Sequence, residues 1–162
     1  MIEMELVGVR VELPGPAPIV LLRENNERGL VLPIFIGNAE ANAIDLYLRN
    51  DTPPRPMTHD LFATALEEMN ASLTKVVVTE IADKTFYAEI HVETTEGIKT
   101  IKSRPSDAIA LAVRMSSPIY AEEEVLASAG HQVHEENNDS EEDVLAEFRD
   151  FLDDVSPEDF SP

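Results

Sequence analysis

The sequence predicts an α+β fold: an antiparallel or mixed β-sheet with helices packed against it, forming a single domain followed by an acidic C-terminal tail. Three observations carry this prediction. Apolar and polar residues alternate in separate stretches near the start and across residues 72–102. Apolar residues recur at three- and four-residue spacings in the segments beginning near residues 39, 58 and 105. The strand-like and helix-like stretches come in groups rather than in strict alternation, which favours α+β over a doubly wound parallel sheet. A chain of 162 residues, 43% hydrophobic, suits one compact domain with a tail rather than two domains.

The elements follow in order. Met4, Leu6, Val9 and Val11 alternate with polar partners across Glu3 to Leu13, a strand closed by the turn Pro14-Gly15-Pro16. Ile19 to Arg23 forms a second strand, Asn25 to Gly29 a polar turn, and Leu30 to Ile36 a third strand. Gly37-Asn38 then sets an N-cap residue before Ala39, Ala41, Ile44 and Leu48, a helix of about three turns. A proline-rich loop ends at Arg55-Pro56. The next helix opens near Thr58 and is expected to bury Leu61, Phe62, Ala65, Leu66 and Met69. From Ser72 to Lys102 the period changes to that of strands, and the turns Asp83-Lys84 and Thr95-Glu96-Gly97 divide the stretch into a three-stranded antiparallel meander. Arg104-Pro105-Ser106-Asp107 opens a third helix, since proline in a first turn lacks only an N–H that would be unpaired anyway. Pro118-Ile119-Tyr120 and a short helix from about Glu122 to Leu126 close the body.

Charge divides the chain into a domain over 1–130, a linker over 131–143 and a terminal segment over 144–162. Residues 1–130 hold 20 acids and 11 bases, whereas residues 131–162 hold 12 acids and one base. The stretch His131 to Asp143 has a single aliphatic residue, Val133, too little apolar surface to offset chain entropy, and reads as a disordered linker. Val144, Leu145, Phe148, Phe151, Leu152 and Val155 then fall near helical spacing until Ser156-Pro157. Such a short acidic amphipathic helix is marginal alone in water, which predicts docking against its own domain, a second subunit or another protein.

Composition excludes several functions. A net charge of −20 disfavours an unaided nucleic-acid binder and an anionic membrane surface. The absence of cysteine removes disulfides, thiolate zinc sites, iron–sulfur clusters and thiol nucleophiles, and fits a reducing compartment. The opening residues carry no basic patch before an apolar run, and no stretch of about 18 uncharged apolar residues occurs, so the protein is expected to be cytoplasmic. The Walker A loop, Gly-x-Gly-x-x-Gly, His-Glu-x-x-His and Gly-x-Ser-x-Gly are all missing, and the tail run Asn137 to Glu141 lacks the sixth-position glycine of a calcium loop.

One placement pattern remains. Glu40, Asp60 and Asp107 each fall in the first turn of an expected helix. Their ordinary role is to complement the helix dipole, at about 0.3–1 kcal/mol each. If the three helix starts converge, the carboxylates present a site for Mg²⁺ or Mn²⁺, because a helix N-terminus favours the anionic, ligating form. In that arrangement His59 is a candidate base, and Arg55 and Arg104 form forks for a phosphodiester with Ser106 beside them.

Several segments together resemble the bifunctional nuclease family: Leu32-Pro-Ile-Phe-Ile-Gly37, Glu40-Ala41, Arg55-Pro56-Met-Thr58-His59-Asp60-Leu61, Arg104-Pro-Ser-Asp107-Ala-Ile-Ala110 and Pro118-Ile119-Tyr120. The resemblance spans roughly residues 3–130. It implies an α+β domain that self-associates, a dimer being the first expectation, with the nuclease activity on RNA and DNA claimed for plant members of the family. Matching positions are Glu40, Arg55, Thr58, His59, Asp60, Arg104, Ser106 and Asp107. The short basic motif found after the domain in some members has no counterpart here, since Glu147 to Leu152 is acidic. Two functions therefore stand side by side: a metal-assisted phosphodiesterase, and a non-catalytic homo-oligomeric adaptor engaging a protein partner through the tail helix.

Overall fold

The computed structural model describes residues 1–11 and 17–132. The Pro14-Gly15-Pro16 turn, most of the linker and the amphipathic segment 144–162 lie outside these. Seven strands form one mixed sheet in the order β3-β2-β1-β7-β4-β5-β6, with four helices. The strands are β1 (Ile2–Val11), β2 (Pro18–Glu24), β3 (Val31–Phe35), β4 (Ser72–Ala82), β5 (Thr85–Thr94), β6 (Gly97–Ser103) and β7 (Ile119–Ala121). The helices are α1 (Asn38–Leu48), α2 (Thr58–Glu68), α3 (Pro105–Met115) and α4 (Glu123–Ala129).

Two three-stranded antiparallel groups build most of the sheet. β1 pairs antiparallel with β2, and β2 with β3. In the second group the two-residue turn Asp83-Lys84 joins β4 to β5, both residues at positive φ (48° and 61°), a turn whose twist matches that of the strands. Gly97, at φ +115°, opens β6 where a side chain would be strained. The seam between the groups is β7, only three residues long, antiparallel to β1 and parallel to β4. This strand is what makes the sheet mixed. Three residues are too few to show periodicity, and the sequence marks the segment only as Pro118-Ile119-Tyr120.

α3 lies at the centre of the helical layer, touching α1, α2, β4 and β5. Its first turn begins at Pro105 after Arg104, and its buried stripe includes Ala108, Ile109, Leu111 and Ala112. The core joins these to Val20, Leu22, Leu32 and Ile44 on one side and to Val76, Val78, Ile90 and Val92 on the other. At the β3 edge, His131 and Val31 exchange two backbone hydrogen bonds of 2.8 Å, so the first residue of the expected linker is part of the folded body. Glu24, buried at the end of β2, accepts the Leu30 N–H at 3.1 Å and pairs with Arg28, which also reaches Glu123 on α4.

Two expectations are corrected. The cap of α1 is Gly37, one residue before Asn38. On α2 the inner face is Ala63 and Leu66, whereas Leu61, Phe62 and Met69 are 62%, 42% and 74% exposed. Helical spacing defines an apolar stripe, but α2 carries a stripe wider than the surface α3 and β4 offer it, and its outer half stays exposed.

Candidate functional site

Each of the three acids singled out above stands in the first turn of its helix: Glu40 on α1, Asp60 on α2, Asp107 on α3. The helix starts gather at one end of the layer, but their side chains form two clusters rather than one.

The first cluster is open. Arg104, the N-cap residue of α3, donates from Nε to Asp107 Oδ2 at 2.8 Å and from Nη2 to Asp107 Oδ1 at 3.1 Å. The same Nη2 lies 2.8 Å from Glu40 Oε1. The Glu40 carboxylate folds back over Gly37, and a Cβ at that position would collide with it. His59 Nε2 lies 3.0 Å from Asp107 Oδ1. Burial pushes the Asp107 carboxyl up, but the hydrogen bonds from Arg104 and His59 outweigh it and hold its pKa below the usual range. Asp107 and, to a lesser degree, Glu40 push the Arg104 guanidinium the other way.

The second cluster is closed. Asp60 Oδ2 accepts the Met57 N–H at 2.8 Å, capping α2, and its Oδ1 lies 2.5 Å from Arg114 Nε. Arg114 is spent on structure: Nη1 donates to the Ala110 carbonyl at 2.8 Å, Nη2 to the Ala43 carbonyl at 3.0 Å, and the guanidinium carbon stands 5.6 Å from the centre of the Tyr47 ring. Here too burial raises and the Arg114 bond lowers the Asp60 pKa, and the net direction is down. Arg114 ties α1, α2 and α3 together. The sequence signal for it is a lone arginine in an otherwise apolar helix, Ala108 to Met115, which predicts an ion pair but not its partner.

The open cluster borders a cavity of about 790 Å³. α2 supplies Thr58, His59, Leu61, Phe62 and Ala65 to its wall; β5 and β6 supply Ile90, Ile101, Lys102 and Ser103; Arg104, Asp107 and Leu111 close the α3 side. Sequence reasoning missed the contribution of β6. Ser106 is buried within α3 and does not line the groove, and Arg55 is exposed in the loop before α2, also outside the lining.

The acids as arranged do not fit a resident cation. Both oxygens of Asp107 are engaged, Glu40 and Asp107 flank a guanidinium, and Asp60 belongs to the other cluster; a cation between Glu40 and Asp107 would have to take the place of Arg104. Among the described residues no group of three or more His, Asp or Glu side chains is set to hold a metal. None of the described helices is long and apolar enough to cross a membrane.

The fold and this cluster define a class: an α+β domain with a cluster of acids, histidine and arginine at the start of its central helix, opening on an apolar groove. The model for the bifunctional nuclease domain matches residues 20–134, and the chain belongs to that family. It is 43% identical to an uncharacterized protein of Mycobacterium tuberculosis over 98% of this chain and 97% of that protein. It is 24% identical to bifunctional nuclease 1 of Oryza sativa and 26% identical to bifunctional nuclease 1 of Arabidopsis thaliana, over 77% and 75% of this chain. These matches span 39% and 38% of the plant proteins.

Proposed function

We propose that this domain hydrolyses phosphodiester bonds of RNA or DNA at the rim of the groove, through the relay Glu40–Arg104–Asp107–His59. The observation that carries the reading is the pairing of His59 with a carboxylate that is itself held by an arginine. In the tautomer that donates Nε2–H to Asp107, His59 keeps a lone pair on Nδ1 for the proton of an attacking water, and Asp107 stabilises the imidazolium that forms. Arg104 is 66% exposed, and with Nε and Nη2 on Asp107 and Glu40 it turns Nη1 to phosphate oxygens, with Lys102 beside it in the lining. Arg104 and Lys102 balance Glu40 and Asp107 here, so the rim is locally neutral on an otherwise acidic body, and distant charges are screened beyond about 8–10 Å. The names of the plant relatives and the family support the same chemistry.

Mg²⁺ or Mn²⁺ is given no step, because Arg104 stands where the cation would bind. The test is cleavage of end-labelled single-stranded RNA and DNA by extensively purified protein, with magnesium, with manganese and with chelator. His59→Asn and Asp107→Asn are each expected to lower the rate about 10²- to 10⁴-fold, the usual worth of a positioned general base. Arg104→Ala is expected to raise KM more than it lowers kcat, and activity is expected to persist in chelator. Cleavage indifferent to all three substitutions overturns the reading, and cleavage abolished by chelator overturns its metal-free form.

A second reading, a non-catalytic homo-oligomeric adaptor, is favoured by the net charge of −20 and by the open edge strand β6, whose Ile98 and Ile101 are 65% and 45% exposed. A dimer without turnover, unchanged in partner binding by His59→Asn, would be its signature.

A further inference from the structure

The groove is polar at one end only. Thr58 and His59 in the first turn of α2, with Ser103, Arg104 and Asp107 where β6 meets α3, line the end that holds the relay. One helical turn further along, about 5–6 Å, α2 offers Phe62 and Ala65 and α3 offers Leu111. Ile101 pairs in register with Ile90, so the two share a sheet face, and both line this second end. Among the described residues, the lining of the second end carries no hydrogen-bonding side chain. Leu61 and Phe62 are 62% and 42% exposed, so the apolar end opens to solvent instead of being filled from within.

We infer that the groove seats one unstacked base of an RNA or DNA strand against Phe62 while the adjoining phosphate meets Arg104, so that the domain takes unpaired strands and does not read base identity. The inference rests on the phosphodiesterase reading for the place of the phosphate and adds the substrate class. Three observations favour this occupant. The first is charge: Asp107 and Glu40 take Nε and Nη2 of Arg104, which leaves Nη1 for a phosphate oxygen at the polar end. The second is spacing, because an anion site and an apolar pocket one helical turn apart match the two halves of a nucleotide. An apolar side chain of a protein partner matches the second half alone. The third is the net charge of −20. A strand gains little long-range attraction from such a body, so its affinity has to come from short-range contact, and stacking on an aromatic ring supplies that.

Strand preference and base tolerance follow from the same lining. A duplex keeps each base paired and stacked, and extruding one carries a cost that an unpaired strand does not. A pocket end without donors or acceptors leaves the Watson–Crick edge unread, and every base has a π-face to stack.

The test is fluorescence anisotropy of the full chain at low salt in chelator, with labelled probes about 12 nucleotides long, within the site sizes of strand-binding domains. The probes are oligothymidylate, oligocytidylate, a strand of abasic units with the same phosphates, and a hairpin duplex; probe length is read on a gel after each titration. The two pyrimidine strands are expected to bind within about threefold of each other, and each about tenfold more tightly than the abasic strand and the duplex. Phe62→Ala is expected to remove that margin. Ile101→Ser, at a 45% exposed position on the edge strand, is expected to reduce it and serves if Phe62→Ala does not fold. Tyr87→Ala is the control: Tyr87 is 45% exposed, and its neighbour Ala88 faces the core, so it stands on the other face of the sheet and should leave the margin intact. Equal affinity for the base-bearing and abasic strands overturns the inference, as does an unchanged margin in folded Phe62→Ala or a preference for duplex. Failure of every probe to bind, with a dimer that Phe62→Ala dissociates, overturns it in favour of a second copy in the groove. Cleavage assays keep the two readings apart. The margin without cleavage would fail the phosphodiesterase reading and leave a strand-binding groove. Cleavage of strand and duplex at equal rates, indifferent to Phe62→Ala, would fail the base pocket alone.

Discussion

Asp60 with Arg114 and Asp107 with Arg104 are the same two residue types, each aspartate in the first turn of its helix, yet they do opposite things. The Arg114 side chain is 6% exposed and that of Arg104 66%, while the two carboxylates are almost equally accessible at 31% and 30%. The difference therefore lies in the arginine. Arg114 commits all three of its nitrogens to Asp60 and to two carbonyls from different helices, and at 6% exposure it is out of a ligand's reach. Arg104 holds two carboxylates from solvent, at the mouth of a groove that also contains a histidine. Buried pairing makes a joint, and solvent-facing pairing keeps a charge displaceable.

The largest effect that would break this contrast is on stability. Arg114→Ala removes the guanidinium that joins Asp60 to the Ala43 and Ala110 carbonyls, and should cost about 1–3 kcal/mol. Arg104→Ala removes a solvated pair and should cost at most about 1 kcal/mol. Urea unfolding of the two variants is the measurement. Comparable losses would mean that Arg104 is also a joint, and its availability for phosphate would go with it.

Helix-start chemistry made the acids legible before any coordinates: a carboxylate in the first turn complements free N–H groups, and all three stand there. Their grouping was not legible, because Asp60 and Arg114 are 54 residues apart and no local rule links them. The meander and both hairpin turns were readable from period and turn residues. The three-residue β7 was not, since its identity comes from neighbours on both sides rather than from its own pattern. Leu61 and Phe62 show the converse limit. Spacing marks a residue as able to be buried, but whether a partner arrives to bury it is a tertiary matter.

Acid titration sharpens the contrast with a smaller effect. Both carboxyls titrate below their ordinary range in the folded state, burial raising them and the hydrogen bonds prevailing. An unfolded chain therefore takes up the proton first, near the ordinary aspartate value of about 3.9. The stability these groups contribute is fully present above that value and is lost as pH falls through the lower folded values. Asp60→Asn and Asp107→Asn should each flatten the loss of unfolding free energy between neutral pH and about pH 3. The flattening should be greater for Asp60→Asn, since its arginine is shielded from water. Equal flattening would indicate that solvent screening does not separate the two sites.

The smallest effect concerns the apolar wall beside the open cluster. Leu61 is 62% exposed, so most of its side chain already meets water in the folded body. Leu61→Ser should then change the unfolding free energy by no more than about 0.5 kcal/mol, as for surface positions in general. Leu66, on the inner face of the same helix, has no such freedom. A null result at Leu61 has content, because an exposed leucine that contributes nothing to folding leaves its apolar surface available for a bound segment. A loss of 2 kcal/mol or more, in the range expected for a buried leucine cut back to a small side chain, would show that the groove is already closed in solution.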